Sequence, residues 1–391
     1  MRHVILTIGF LFACGSAYPQ IWQQLPEIPG PAMDGAFTFT IDGTIYVGGG
    51  YNYKRLRAFD TATGTWSDRG PLPNTLVDRW IGVGFAIGDK GYMGLGYDGP
   101  GLKNDLWEFD PMTNGWTQLA DHPGNGIGGS IAFSVDGKAY IGGGADNSEY
   151  YGQLHEYDPM TNSWSLVAGM PMNETLFGNA FTIGDRAFVI GGDHGGSEDG
   201  QLYEFDPLNY DWIPRAQFIG SPRQAAVSFA IGSIGYYGGG HTEYLTGFDD
   251  FFAYDALNDA WYTAGDIPGG IRGWAVGTGV GEKGYVGSGF DLDDEYLSDW
   301  WSFDQLVGLS EVATPSSFSL YPTITTEFVN ITRTEGAAGT FIILDAAGRI
   351  VIPSVNVQGS LQVNVSSLAA GVYHVKPMSH GIGQAKMFVK E

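Results

Sequence analysis

Short runs of alternating apolar and polar residues, each bounded by glycine or an Asp-containing turn, recur along most of this chain. Ala36 to Ile41 and Thr44 to Gly49 flank the pair Asp42-Gly43, a strong hairpin signal. The second run of each such hairpin ends in glycines: Ile45 to Gly50, Tyr92 to Gly96, Tyr140 to Gly144, Phe188 to Gly192, Tyr236 to Gly240 and Tyr285 to Gly289. A third run follows a variable loop and closes on an aromatic-Asp pair, as in Leu106 to Asp110. A turn such as Asp110 to Asn114 then leads to a fourth run carrying a tryptophan. Aligned on Ile41, Ile87, Val135, Ile183, Ile231 and Val280, the unit repeats every 46–49 residues or so. Four strands per unit at that period predict propeller blades.

Five aromatic-Asp pairs each precede a tryptophan six residues on: Asp60 with Trp66, Asp110 with Trp116, Asp158 with Trp164, Asp206 with Trp212 and Asp255 with Trp261. The sixth pair, Phe303-Asp304, has none; the missing residue stands near the other end of the chain, as Trp22 in Ile21-Trp22-Gln23-Gln24-Leu25. That segment is expected to complete the sixth blade and remove the exposed sheet edges. The double glycines, the aromatic-Asp pairs and the spaced tryptophans resemble the kelch repeat over roughly residues 21 to 307. The resemblance implies an all-β, six-bladed kelch-type β-propeller closed by an N-terminal strand. The repeated glycine, Trp and Asp residues are expected to build blades; the glycines at the strand ends would spare the neighbouring blade from crowding.

The ends add location. Arg2, an apolar run from Val4 to Ala13 and small residues at Gly15-Ser16-Ala17 predict a secretory signal peptide over 1–19, too short for a membrane span. The single cysteine, Cys14, follows Leu11-Phe12-Ala13, a weak resemblance to a lipoprotein box. The propeller itself, taken as 20–307, therefore contains no cysteine for a disulfide. A small, polar linker spans 308–317, and from Phe318 to Glu391 seven or so short strands predict a small β-sandwich. Ser319-Leu320-Tyr321-Pro322, Ile343 to Val351 and Val365 to Val375 resemble the C-terminal sorting domain of the Bacteroidetes type IX secretion system. Thr323-Ile324 stands where that family has Asn-Pro. The resemblance implies export through the periplasm and outer membrane to the cell surface or medium, with the type IX machinery as a partner. A net charge of −24 argues against nucleic acid or an anionic membrane as a partner.

Ligands of such propellers bind on the face built by two loop sets, those between second and third strands and those between blades. Arg79, Arg223 and Arg272 hold one register just before the inner strand of three blades, where the others have Met33, Ile127 and Thr175. Converging on the channel mouth, they would form an anion site; alternatively they pair with nearby acids such as Asp78. The second loop set supplies Tyr51, Tyr97, Asp193, His194, His241, Glu243 and Phe290. Aromatic platforms beside polar groups suit a carbohydrate surface. Asp291 to Glu295 lacks the glycine and spacing of an EF-hand, and Asp193, His194 and His241 are too few for a transition-metal site, so no metal or cofactor is assigned.

Galactose oxidase shares the kelch architecture but needs a Cys-Tyr crosslink, and here the sole Cys lies in the signal segment. The favoured reading is an exported recognition module for a glycan or protein, leaning away from an enzyme. An alternative is a sugar mutarotase resembling N-acetylneuraminate epimerase, with the three arginines as anchor and Glu174, Glu198 or Glu243 as base. A structural or adhesin role in the cell envelope is the third.

Overall fold

The computed structural model describes residues 22–304 and 318–391, apart from 52, 74, 75, 77, 173, 174, 197, 243–245, 292–294, 334–338, 347, 348 and 378–385. The expected signal peptide with Cys14, the expected linker, Glu174, Glu243 and the centre of the Asp291–Glu295 loop lie outside the described residues.

Six four-stranded antiparallel sheets form a ring. Blade 1 comprises Ala36–Ile41, Thr44–Gly49, Arg55–Asp60 and Thr65–Pro71, from channel to rim. Blades 2 to 5 repeat this order, their inner strands being Val83–Ile87, Gly128–Val135, Asn179–Ile183 and Val227–Ile231. Blade 6 takes three strands from Val276–Val280, Lys283–Gly287 and Trp300–Asp304, and its outer strand is Trp22–Leu25. Trp22 stands opposite Phe303 in that pairing, so the ring closes between its two ends as the displaced tryptophan predicts.

The repeated residues bind blade to blade. The indole N–H of Trp66, Trp164, Trp212 and Trp261 donates to a backbone carbonyl at the outer edge of the preceding blade: Pro26 (2.9 Å), Ala120 (2.9 Å), Gly169 (2.7 Å) and Ala216 (3.0 Å). The carboxylates of Asp60, Asp110, Asp158, Asp206 and Asp255 instead accept N–H groups of their own turns, as Asp60 does from Ala62 and Thr63. Those bonds hold the Asp60 carboxyl below its usual range.

The strand-end glycines answer two different neighbours. A side chain on Gly143, at φ +66°, would meet the carbonyl oxygen of Thr175 in the next blade. On Gly94 it would lie 2.2 Å from the Asp105 carbonyl of its own blade. The expected crowding by the neighbouring blade is therefore half of the reason.

At one end of the channel the ring closes a second time. One residue per blade, at or just before the start of the inner strand, has a left-handed backbone: Gly35, Ile81, Gly129, Phe177, Ala225 and Trp274. Each amide donates to the carbonyl of its counterpart in the preceding blade, and Gly35 donates to Trp274, giving a cycle of six bonds of 2.8–3.2 Å. Below this iris the inner strands line spaces of about 180 and 270 Å³ with small and hydroxyl side chains such as Thr38, Ser130 and Ser228.

Residues from Phe318 onward form a three-stranded sheet (Phe318–Tyr321, Phe328–Arg333, Ser360–Asn364) and a five-stranded one (Ile324–Thr325, Lys386–Lys390, Gly371–Pro377, Gly339–Asp345, Ile350–Val357). They enclose one core that includes Phe318, Ile331, Phe341, Ile343, Val375 and Phe388. The two-residue strand Ile324–Thr325, paired in parallel with Lys386–Lys390, was not expected from the sequence. Among the described residues no helix is long and apolar enough to cross a membrane.

Candidate functional site

Arg79, Arg223 and Arg272 occupy equivalent places, but they do not converge on the channel mouth as free guanidiniums. All three are 0 % exposed. Arg79 forks onto Asp105 at 2.6 and 3.2 Å, and Arg272 onto Asp299 at 2.9 and 2.8 Å. Arg223 binds Asp250 in the same way and lies 4.0 Å from the Phe248 ring centroid. Each also donates to the carbonyl that ends the second strand's turn: Leu95, Gly239 or Ser288. The acid is the residue five positions before the aromatic-Asp pair's Asp, not Asp78. In the blades that lack the arginine this acid is also missing: Ile127 goes with Gln153, Thr175 with Gln201 and Met33 with Arg55. Arginine and aspartate come and go together, which marks a clamp rather than an anchor for an external anion.

The second loop set fares differently. Asp193 is 7 % exposed; it accepts from the Gly196 amide of its own loop at 2.7 Å and from the Tyr150 hydroxyl of the preceding blade's loop at 3.4 Å. His194, beside it, is half-buried. His241 is buried, with Nδ1 2.8 Å from the Thr242 carbonyl and its ring 4.5 Å from that of Trp274. Burial pushes its pKa down and favours the neutral imidazole. Phe290 packs on Trp274 (6.4 Å) and Tyr296 (5.7 Å).

Tyr51 and Tyr97 meet where blades 6, 1 and 2 adjoin. Tyr51 stacks on Tyr296 with ring centroids 5.6 Å apart, and Tyr97 pairs its backbone with Trp80. With Asp34, Asp78, Asp98 and Gly99 these four aromatics line a cleft of about 530 Å³ beside the iris. Tyr51, Tyr97 and Tyr296 are 50 %, 40 % and 41 % exposed. Trp80 can lie over the iris because residue 35 is glycine: a Cβ there would stand 2.1 Å from the indole. Its indole N–H donates to Asp34 Oδ2 at 3.2 Å. Trp80 also touches Trp274 across the mouth, at 6.2 Å, and Trp274 touches Phe177 at 5.9 Å.

Ile81, Phe177 and Trp274 hold φ of +50°, +57° and +49°, costly for branched or bulky residues. Strain of this kind concentrates at ligand clamps. Asp34, Trp80, Trp274 and Tyr296 are not among the residues that the sequence pattern alone marks as candidates. The signal was available: Trp80 and Trp274 are tryptophans that the six-residue spacing does not use.

A kelch-repeat family model, described as the KLHDC2/KLHL20/DRC7 Kelch-repeats domain, matches residues 19–178, and a secretion system C-terminal sorting domain matches 319–391. The protein is a kelch propeller with a secretion sorting domain. No curated protein matches the chain significantly. The solved structure titled "Structure of YjhT" is similar in fold, at 19 % identity and a TM-score of 0.61, over 71 % of this chain and 96 % of that one. For the kelch propeller, then, fold is shared while the mouth residues must be read on their own terms.

Proposed function

We propose that this is an exported recognition protein whose propeller binds a glycan or protein ligand in the Tyr51–Trp80–Tyr97–Tyr296 cleft. The observation that carries this reading is three exposed tyrosines and a tryptophan gathered around one concavity on the loop face. Such rings stack on sugar C–H faces or take an apolar side chain, while Asp34, Asp78 and Asp98 fix polar groups. The sorting-domain match supports export by type IX secretion, to the cell surface or medium. Deleting 317–391 should then retain the protein in the periplasm of its native host, and normal export of the truncated chain would refute that part.

The mutarotase reading loses the arginine anchor it relied on, because all three guanidiniums are buried in the clamps. Saturation-transfer proton NMR of the full chain with free sugars and short peptides tests both. We expect transfer to a bound ligand that falls at least severalfold in the double variant Tyr51→Ala/Tyr97→Ala. Transfer equal in wild type and variant would remove the cleft from the function. Accelerated anomer exchange, lost in the same variant, would make the site catalytic.

A further inference from the structure

The charge of the cleft is one-sided. Its lining carries three carboxylates, Asp34, Asp78 and Asp98, and no lysine or arginine. Lys54 pairs with Asp78 at 3.8 Å and Lys103 with Asp98 at 3.1 Å, yet neither lysine is part of the lining. Asp34 is only 6 % exposed. One of its oxygens accepts from the Trp80 indole; the other, Oδ1, is buried without a hydrogen-bond partner, and so is Asp78 Oδ1. Burying a carboxylate oxygen unpartnered is costly, and native structures do so where something else completes the site. Aromatic faces are electron-rich and attract cations, while a carboxylate supplies the matching hydrogen-bond acceptor.

Resting on the recognition reading above, we propose that this cleft takes an organic ammonium group, caged by Tyr51, Trp80, Tyr97 and Tyr296 and hydrogen-bonded by Asp34 and Asp78. A protonated amine offers N–H donors to the Asp34 and Asp78 carboxylates that line the cleft and presents its flanking C–H groups to the rings. A carboxylated or sulfated ligand would face carboxylates with no lining cation to receive it. The ammonium could belong to an amino sugar or to a lysine side chain; the chemistry at the cleft is shared.

The test is calorimetric titration of the full chain at pH 7 with two matched pairs. One pair is glucosamine against N-acetylglucosamine; the other is Nα-acetyl-lysine methylamide against its Nε-acetylated form. Acetylation removes the charge and keeps most of the shape. We expect the charged member of at least one pair to bind at least about tenfold tighter than its neutral partner. Which pair responds identifies the source. Asp34→Asn, and independently Asp78→Asn should the first variant fold poorly, is expected to erase most of that preference. Neutral members binding as well as charged ones, with sensitivity to Tyr51→Ala, would overturn the ammonium proposal and leave recognition standing. Binding of either pair that ignores Tyr51→Ala and both Asp variants would overturn the cleft as well, as would no binding by any of the four probes together with unchanged saturation transfer in the tyrosine variant.

Discussion

Blades 2 and 3 are neighbours built on one repeat, and they fill the same space in opposite ways. In blade 2, Arg79 is buried and forked onto Asp105, whose Oδ2 also accepts from the Trp107 indole at 2.9 Å. In blade 3 the corresponding residues are Ile127, Gln153 and His155, and the apolar plug that is Leu72 between blades 1 and 2 has become His122. The result there is a space of about 150 Å³ lined by two imidazoles, their rings 4.7 Å apart. Both ring nitrogens of His122 are buried without a partner. One blade satisfies its buried charge internally; the other leaves buried polar atoms unsatisfied. The repeat tolerates both because each blade keeps its four-stranded antiparallel order.

The largest effect should come from breaking the clamp on one side only. Asp105→Ala leaves the Arg79 guanidinium buried without the carboxylate that balances its charge, and should cost about 3–5 kcal/mol in urea unfolding. Importing blade 3's solution, Arg79→Ile with Asp105→Gln, should cost clearly less than the single change. Equal losses would show that the pair is not acting as a unit.

Blade 3 should show its weakness in acid. Burial, with the neighbouring His155 second, lowers the His122 pKa to about 4. Between that value and the ordinary histidine value near 6.5, the unfolded chain binds a proton that the folded one does not. Stability contributed by keeping His122 neutral is therefore lost as pH falls through that window, by up to about 3 kcal/mol. His122→Leu, restoring the residue type of the other blades, should flatten the pH dependence of the melting temperature between pH 6 and 4. A slope identical to wild type would place the acid sensitivity elsewhere.

A smaller effect belongs to the contacts that both blades share. Trp212→Phe keeps the ring but removes the hydrogen bond to the Gly169 carbonyl, and should cost about 1 kcal/mol in the same unfolding assay. Least of all, Asp34→Asn should slightly raise the melting temperature at pH 7. Burial raises the Asp34 carboxyl pKa, so ionised Asp34 works against the fold as pH rises through that value. A fall on substitution would mark Asp34 as structural.

Much of the architecture was legible in the chain because it is written six times. Strand, glycine turn, aromatic-Asp pair and tryptophan recur at fixed spacing, and local backbone chemistry alone demands them: Asp42-Gly43 makes its hairpin whatever surrounds it. The displacement of Trp22 to the N-terminal side even announced how the ring closes. The site was only partly legible. Tyr51, Tyr97 and Phe290 stood out as loop aromatics, but Arg79, Arg223 and Arg272 stood out more and belong to the interior.

An arginine reads the same in sequence whether it faces water or a buried carboxylate. Only the fold brings Asp105, Asp250 and Asp299, some 26–27 positions further on, against it. Likewise Tyr51 and Tyr296 are 245 residues apart in the chain and stack because the first and last blades are neighbours in a closed ring. Repetition along the chain determined the blades. What faces the ligand depends on which loops the closure brings together, a long-range property that no local pattern encodes.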